Sequence, residues 1–318
     1  MKLGEMQDFF IKEAINADLR GREAVEADLN KRKTQYDALS DARKKLFDAE
    51  SLKNPYYDSR IIFGDPQTEV KSIFAAIDVD TQEILLAKYL IDSGKKIDVI
   101  ISHHPEGYAY ATFHNIGHMQ TDILNKFGVP INVAEKIVLS RIKEVEKSIL
   151  PQNSQRVSDA AKLLNIPFMT AHTVADNQVA FFLHNEFEKA KPQYLGDILS
   201  SLSKLPEYLQ SSKEGHSPQI FLGNENSRCG KIFVDMTGGF EGPTEMFAQL
   251  SAAGIGTIVS MHMGKKSLDE AEKYKFNVVI AGHISSDNLG LNLMFDKLEK
   301  EYGKLEFIQA SGFRRFRR

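Results

Sequence analysis

The chain has 318 residues, 42% hydrophobic and 26% charged, enough for two ordinary domains, or one large domain with an extension, around a real core. Its 40 basic and 43 acidic residues leave a net charge of -3, which argues against a protein that binds nucleic acid by bulk electrostatics. The single cysteine, Cys229, excludes internal disulfides and thiolate-rich metal sites, so any metal must be held by histidine and carboxylate.

Residues 1 to 55 are densely charged. Val25, Leu29, Tyr36, Leu39 and Leu46 recur at helical spacing and predict two or three helices. A solvated helical extension packed on the body fits this thin apolar stripe better than an oligomerisation arm. The start of the chain has no apolar stretch of signal-peptide length, and no segment has the roughly 20 apolar residues of a membrane span. A cytoplasmic protein with no membrane partner is expected.

Asn54-Pro55 and Gly64-Asp65-Pro66 mark the entry to the body. Residues 73–79 read as a buried strand, 81–93 as an amphipathic helix and 97–102 as a second strand, which together make a βαβ unit with parallel strands. Residues 122–164 are mostly helical, broken at Pro151, and 166–171 form another strand. The polar stretch 188–218 reads as a connection. The alternation then repeats, with strands at 231–236, 257–260 and 278–281 and the loop Thr237-Gly238-Gly239 after the first of them. The chain is thus expected to be α/β, with two similar halves of mixed or parallel sheet: extension 1–55, first half 56–190, second half 191–318.

The halves echo each other. Asp78, a helix and a strand ending Ser102-His103-His104 match Asp235, a helix and a strand ending Ser260-Met261-His262. His172 to Asp176 matches His283 to Asp287, each a histidine and an aspartate four residues apart. Every such residue follows the carboxyl end of a predicted strand, where the ligand crevice of an open α/β sheet lies. Imidazole with carboxylate is a donor set for first-row transition metals. Adjacent histidines in extended backbone point opposite ways and suit two neighbouring ions rather than one. Singly, Asp176 and Asp287 read as loop or N-cap aspartates, and a lone strand-end histidine as structural. Their combination selects His103, His104, Asp176, His283 and Asp287 as ligands of two divalent ions (Zn, Fe, Mn or Ni), with Asp176 or Asp287 as the bridge.

Asp65-Pro66 with Glu69-Val70-Lys71, Ala76-Ile77-Asp78, Ile100-Ile101-Ser102-His103-His104-Pro105, Ala171-His172-Thr173 to Asp176, and Gly282-His283 with an acid at 287 resemble the Nif-three-like family over residues 58 to 318. Some of its members are described as type 2 GTP cyclohydrolase I. The resemblance implies two interlocked α/β halves, a dinuclear metal site on the same five residues and often a toroidal hexamer. Three features depart from it. Position 287 is Asp where the family usually has Glu, the segment from Pro105 to Ala171 is longer, and the first 55 residues have no counterpart.

The expected function is a metal-dependent hydrolase acting on a small molecule, a nucleotide or phosphoester, through activated water. The alternative is a metal carrier or regulatory module without turnover. His262 is the candidate acid/base, and His172 is expected to orient a ligand from behind. Glu106, Tyr108, Thr237, Lys265 and Lys266 are candidates for substrate contact, although exposed loop lysines and a plain tight turn at 237–239 are the commoner readings. The tail Phe313 to Arg318 alternates aromatic and basic residues in a way that can meet single-stranded nucleic acid. A frayed terminus is the simpler expectation.

Overall fold

The computed structural model describes residues 1–318. The N-terminal helices are α1 (Leu3–Asn16), α2 (Arg22–Asp37) and the short α3 (Asp41–Lys44). The first half follows with β1 (Ile61–Phe63), β2 (Ser72–Ala76), α4 (Thr81–Asp92), β3 (Val99–Ser102), α5 (Tyr108–Ala111), α6 (His118–Lys126), α7 (Ile131–Ile149), α8 (Arg156–Leu163), β4 (Phe168–Thr170) and α9 (Thr173–Ala190). The polar stretch read as a connection holds two helices, α10 (Leu195–Leu202) and α11 (Pro206–Lys213), the first of which buries Leu195, Ile198 and Leu202 at helical spacing. The chain continues through β5 (Gln219–Leu222), β6 (Lys231–Asp235), α12 (Met246–Ala252), β7 (Ile255–Ser260), α13 (Lys265–Lys273), β8 (Asn277–Ile280), α14 (His283–Tyr302) and β9 (Glu306–Ala310).

The strands form two sheets, ordered β1-β4-β3-β2-β9 and β5-β8-β7-β6. The first four strands of each half have the same order and polarity. The inner pairs are parallel, and the hairpin-like edge strand (β1 or β5) runs antiparallel to its neighbour. The continuous apolar runs of β2 and β3 are buried throughout, as parallel strands covered on both faces must be. α4 starts where Asp80 and Glu83 form a capping box. The two halves interlock through β9, which pairs in parallel with β2 and so completes the first sheet from the far end of the chain.

Hydrogen bonds fix the correspondence between the halves. Ser102 Oγ donates to the His104 carbonyl and Ser260 Oγ to the His262 carbonyl, both at 2.8 Å. Ala171 N donates to the Ser102 carbonyl and Ala281 N to the Ser260 carbonyl. Two of the sequence matches are therefore out of step. Ala76 pairs with Ser102 as Asp235 pairs with Ser260, so Asp235 corresponds to Ala76 and not to Asp78. Likewise His172 caps α9 where Gly282 caps α14, so Asp176 corresponds to Ser286 and Asp287 to Asn177. The frame is duplicated, but the chemistry within it is not.

The longest contact between the halves is α9 against α14. Gly290 permits it, because a Cβ there would lie 2.5 Å from the Ala175 carbonyl oxygen. α1 fills the side of this pair with Met6, Phe10 and Ala14, all fully buried. The sequence stripe missed this helix. The extension is thus two things: α1 belongs to the main core, whereas α2 buries only Val25 and Leu46 stands exposed. The tail is not frayed. Phe313 is fully buried, and Arg315 and Arg317 both pair with Glu299.

Candidate metal centre

The end of β3 delivers His103 and His104, the first turn of α9 delivers Asp176, and α14 delivers His283 at its start and Asp287 one turn further on. Because Asp287 sits one residue further along its helix than Asp176 does, the two carboxylates are rotated by roughly 100° relative to each other in the duplicated frame. Both nevertheless meet His103. Its Nε2 lies 3.4 Å from Asp176 Oδ1 and 3.4 Å from Asp287 Oδ1. The other oxygen of Asp287 lies 3.6 Å from His104 Nε2 and 3.6 Å from His283 Nε2. Those two imidazole nitrogens are 3.3 Å apart. Asp287 therefore stands between two donor clusters, one oxygen to each.

Three of the histidines are aimed from behind. His103 Nδ1 donates to the Ala171 carbonyl at 3.2 Å, His104 Nδ1 to Asp78 at 2.7 Å and His172 Nδ1 to Asp58 at 2.8 Å. This places the Nδ1–H outward and the Nε2 lone pair inward, as metal-binding histidines are held. Asp58 is fully buried and takes further hydrogen bonds from Thr173 and Ser59. Nothing in the sequence pointed to Asp58 or to the bond from His104 to Asp78, since both partners come from distant segments. His172 stands nearer the centre than an orienting residue needs to. Its Nε2 is 3.7 Å from Asp176 Oδ2 and falls into one group with the ring nitrogens of His103 and His104.

The residues fit a divalent ion on physical grounds. His103 Nε2, Asp176 Oδ1 and both oxygens of Asp287 are buried without any hydrogen-bond partner, a costly state for polar atoms unless something binds them. Burial would push the His103 imidazole down, but the carboxylates of Asp287 and Asp176 outweigh it and raise it to about 10. Burial would raise Asp287, but His103 first, with His283 and His104, brings it to about 2. The two buried carboxylates thus favour positive charge at this position.

A cleft opens beside this centre, lined by His172, Asp176, His283, Asp235, Thr237 and His262 among others. The His262 ring centroid is 4.8 Å from that of His283. Thr237 Oγ1 donates to Asn177 Oδ1 at 2.7 Å. Four residues singled out in the sequence do not line the cleft. Tyr108 is largely exposed with the Arg60 guanidinium over its ring, and Glu106, pushed up to about 7 by burial, stands outside it. Lys265 is exposed and paired with Asp269, and Lys266 lines a separate polar depression with Arg141 and Glu144. Asp235 was noted in the sequence only as part of the echo, and its place on the cleft wall follows from the register of β6.

No family model matches the sequence, and no curated protein does. Solved structures do match. A NIF3 superfamily protein from Sphaerobacter thermophilus aligns over 80% of this chain and 91% of its own, at 23% identity and a TM-score of 0.69. The chain has the NIF3 fold. Reduced HcgD from Methanocaldococcus jannaschii aligns over 84% of this chain and 94% of its own, at 16% identity and a TM-score of 0.43. A Bacillus cereus protein related to NIF3 aligns over 79% and 90%, at 11% identity and 0.42. In this NIF3 fold the His/Asp clusters at the meeting of the two halves can hold metal. No helix is long and apolar enough to cross a membrane.

Proposed function

We propose that the chain binds two divalent transition-metal ions and hydrolyses a small molecule of the nucleotide or phosphoester class. The observation that carries this reading is the set of four buried, unpartnered atoms on His103, Asp176 and Asp287, with the two Asp287 oxygens turned to separate donor clusters. His103, Asp176 and Asp287 would hold one ion, with His172 Nε2 close by. His104, His283 and Asp287 would hold the other. Bound together, two such ions supply an activated water and stabilise charge developing on the substrate. Asp58 and Asp78 keep the imidazoles in register, and His262, its ring against that of His283, is placed to exchange a proton with the substrate.

The two clusters differ in access. His103 and Asp287 are fully buried, whereas His283 is 40% exposed and His104 26%. A centre with one enclosed and one open position favours catalysis over storage, although an exchanging metal carrier would use the same donors. Cytoplasmic location and assembly into a homo-oligomer, a hexamer by family resemblance, belong to the same proposal.

Metal content per chain, measured after purification without chelator and reconstitution with Zn, Mn, Fe or Ni, tests it. About two ions are expected in the wild type, with clear loss in His104→Ala and Asp287→Ala and an unchanged circular dichroism spectrum. A wild type that stays empty refutes the reading. A metal-loaded protein that exchanges its ions freely and turns over no nucleotide or phosphoester supports the carrier.

A further inference from the structure

Two side chains of the cleft, Thr237 and Ser260, are committed as hydrogen-bond acceptors, and two more, Asp235 and Glu241, are carboxylates. Arg20 binds the buried Asp18 carboxylate through its backbone N–H, Nε and Nη2, at 2.9, 3.0 and 2.8 Å. A carboxylate only accepts, so the Asn177 amide must present its Nδ2 there, at 3.4 Å. That orientation turns Asn177 Oδ1 toward Thr237, and the Thr237 hydroxyl spends its one proton on it. Toward the cleft, Thr237 has only lone pairs to offer. Ser260 stands alike, its proton given to the His262 carbonyl. Glu241 adds a carboxylate, one oxygen of which already takes the Gly264 N–H at 2.9 Å.

Gln120 points the same way independently. Its Nε2 donates to the carbonyls of Gly238 at 3.0 Å and Phe240 at 2.7 Å, which fixes the amide. Its Oε1 is left buried with no donor, in a residue only 7% exposed. Gln120 lines a small cavity that shares Asp235 and Thr237 with the cleft. No lysine or arginine lines the cleft, and His262 and the metal-side histidines are its ring donors.

We propose that Thr237, Asp235 and Ser260, backed by Gln120, form a pocket for a nitrogen group rich in N–H donors, of the amine or amidine type, on the substrate of the proposed hydrolase. A site of committed acceptors rewards a donor and leaves its own groups unpaired against anything else, which is a strong basis for selection. Asp235 adds to it. Burial, and then the Glu241 charge, lift its carboxyl to about 7, so a cationic neighbour is especially favourable to its ionised form.

The test is calorimetric binding of benzamidinium and of phenyl phosphate to the full-length protein, with and without reconstituted zinc. Benzamidinium is expected to bind both forms. Asp235→Asn and Thr237→Val should each weaken it by at least about tenfold at unchanged metal content, and Thr237→Ser should restore it. Phenyl phosphate should bind only the zinc form and be indifferent to Asp235→Asn. The pocket is refuted if benzamidinium does not bind the wild type, or if both variants bind it as the wild type does while their melting curves show them folded. Benzamidinium bound by a chain that takes up no metal would support the pocket and overturn only the hydrolase reading.

Discussion

His104 illustrates how much of the centre depends on residues that no motif announces. Its Nε2 faces Asp287 and His283 only because Asp78 holds its other nitrogen at 2.7 Å. Asp78 is exposed, and the His104 hydrogen bond holds its carboxyl below the usual range. Asp78→Asn should therefore leave the fold intact and lower affinity at the more open cluster by about 10- to 100-fold, as loss of such an orienting carboxylate does. Competition with a chelator would read this directly, and unchanged affinity would mean that His104 is held by packing alone. At this scale the sequence was informative about residue type and blind to phase. The adjacent histidines, and the two helix-start aspartates, were visible as strand-end chemistry. That Asp287 matches Asn177 rather than Asp176 was not, because a single-residue offset between two short motifs leaves no trace in their spacing. For the lysines after β7, the commoner reading of exposed residues fits better than substrate contact, since both begin α13 outside the cleft, with Lys265 paired to Asp269.

Among the elements, the pairing of α9 with α14 decides whether the two carboxylates can share an imidazole. Gly290 sets the closeness of that pair. Gly290→Ala must push a methyl against the Ala175 carbonyl, one residue before the candidate ligand Asp176. A loss of about 1–3 kcal/mol in stability is expected from the overpacking, together with weaker metal binding. A thermal melt and a metal titration on the same variant check both, and a melt equal to wild type would show that the helices can part without cost. The C-terminal segment makes a second case. Burial would raise Glu299, but its hydrogen bonds from Arg317, the Leu305 N–H and Arg315 bring it to about 2. A carboxylate depressed in the folded state stabilises above its ordinary value of 4.5 and loses that contribution as pH falls toward 2. The wild type should thus lose melting temperature on acidification through this window more steeply than Glu299→Gln does, and parallel curves would show that the ion pairs contribute nothing. The alternation of Phe and Arg in this tail suggested either single-stranded nucleic acid or fraying, since the sequence could not show that Asp296, Glu299 and Glu207 wait on α14 and α11 to receive the arginines.

Over the whole molecule, the α/β class and most strands and helices of the body were legible, because buried parallel strands such as β2 and β3 are short apolar runs between amphipathic helices. The edge strands β1, β5 and β9 were not, since their partial burial gives neither a continuous run nor a clean alternation. The helices of residues 1–55 were expected, but not the burial of α1, whose buried face meets the long helices of both halves and is a tertiary fact. β9 was assigned by sequence to the second half and instead borders the first sheet, beside β2. On the ribosome, this means that β2 leaves the exit tunnel long before its neighbour exists, and one of its edges stays open through most of translation. The candidate ligands are made in the same dispersed order, so a nascent chain that holds His103, His104 and Asp176 still lacks Asp287, the one carboxylate that faces both clusters.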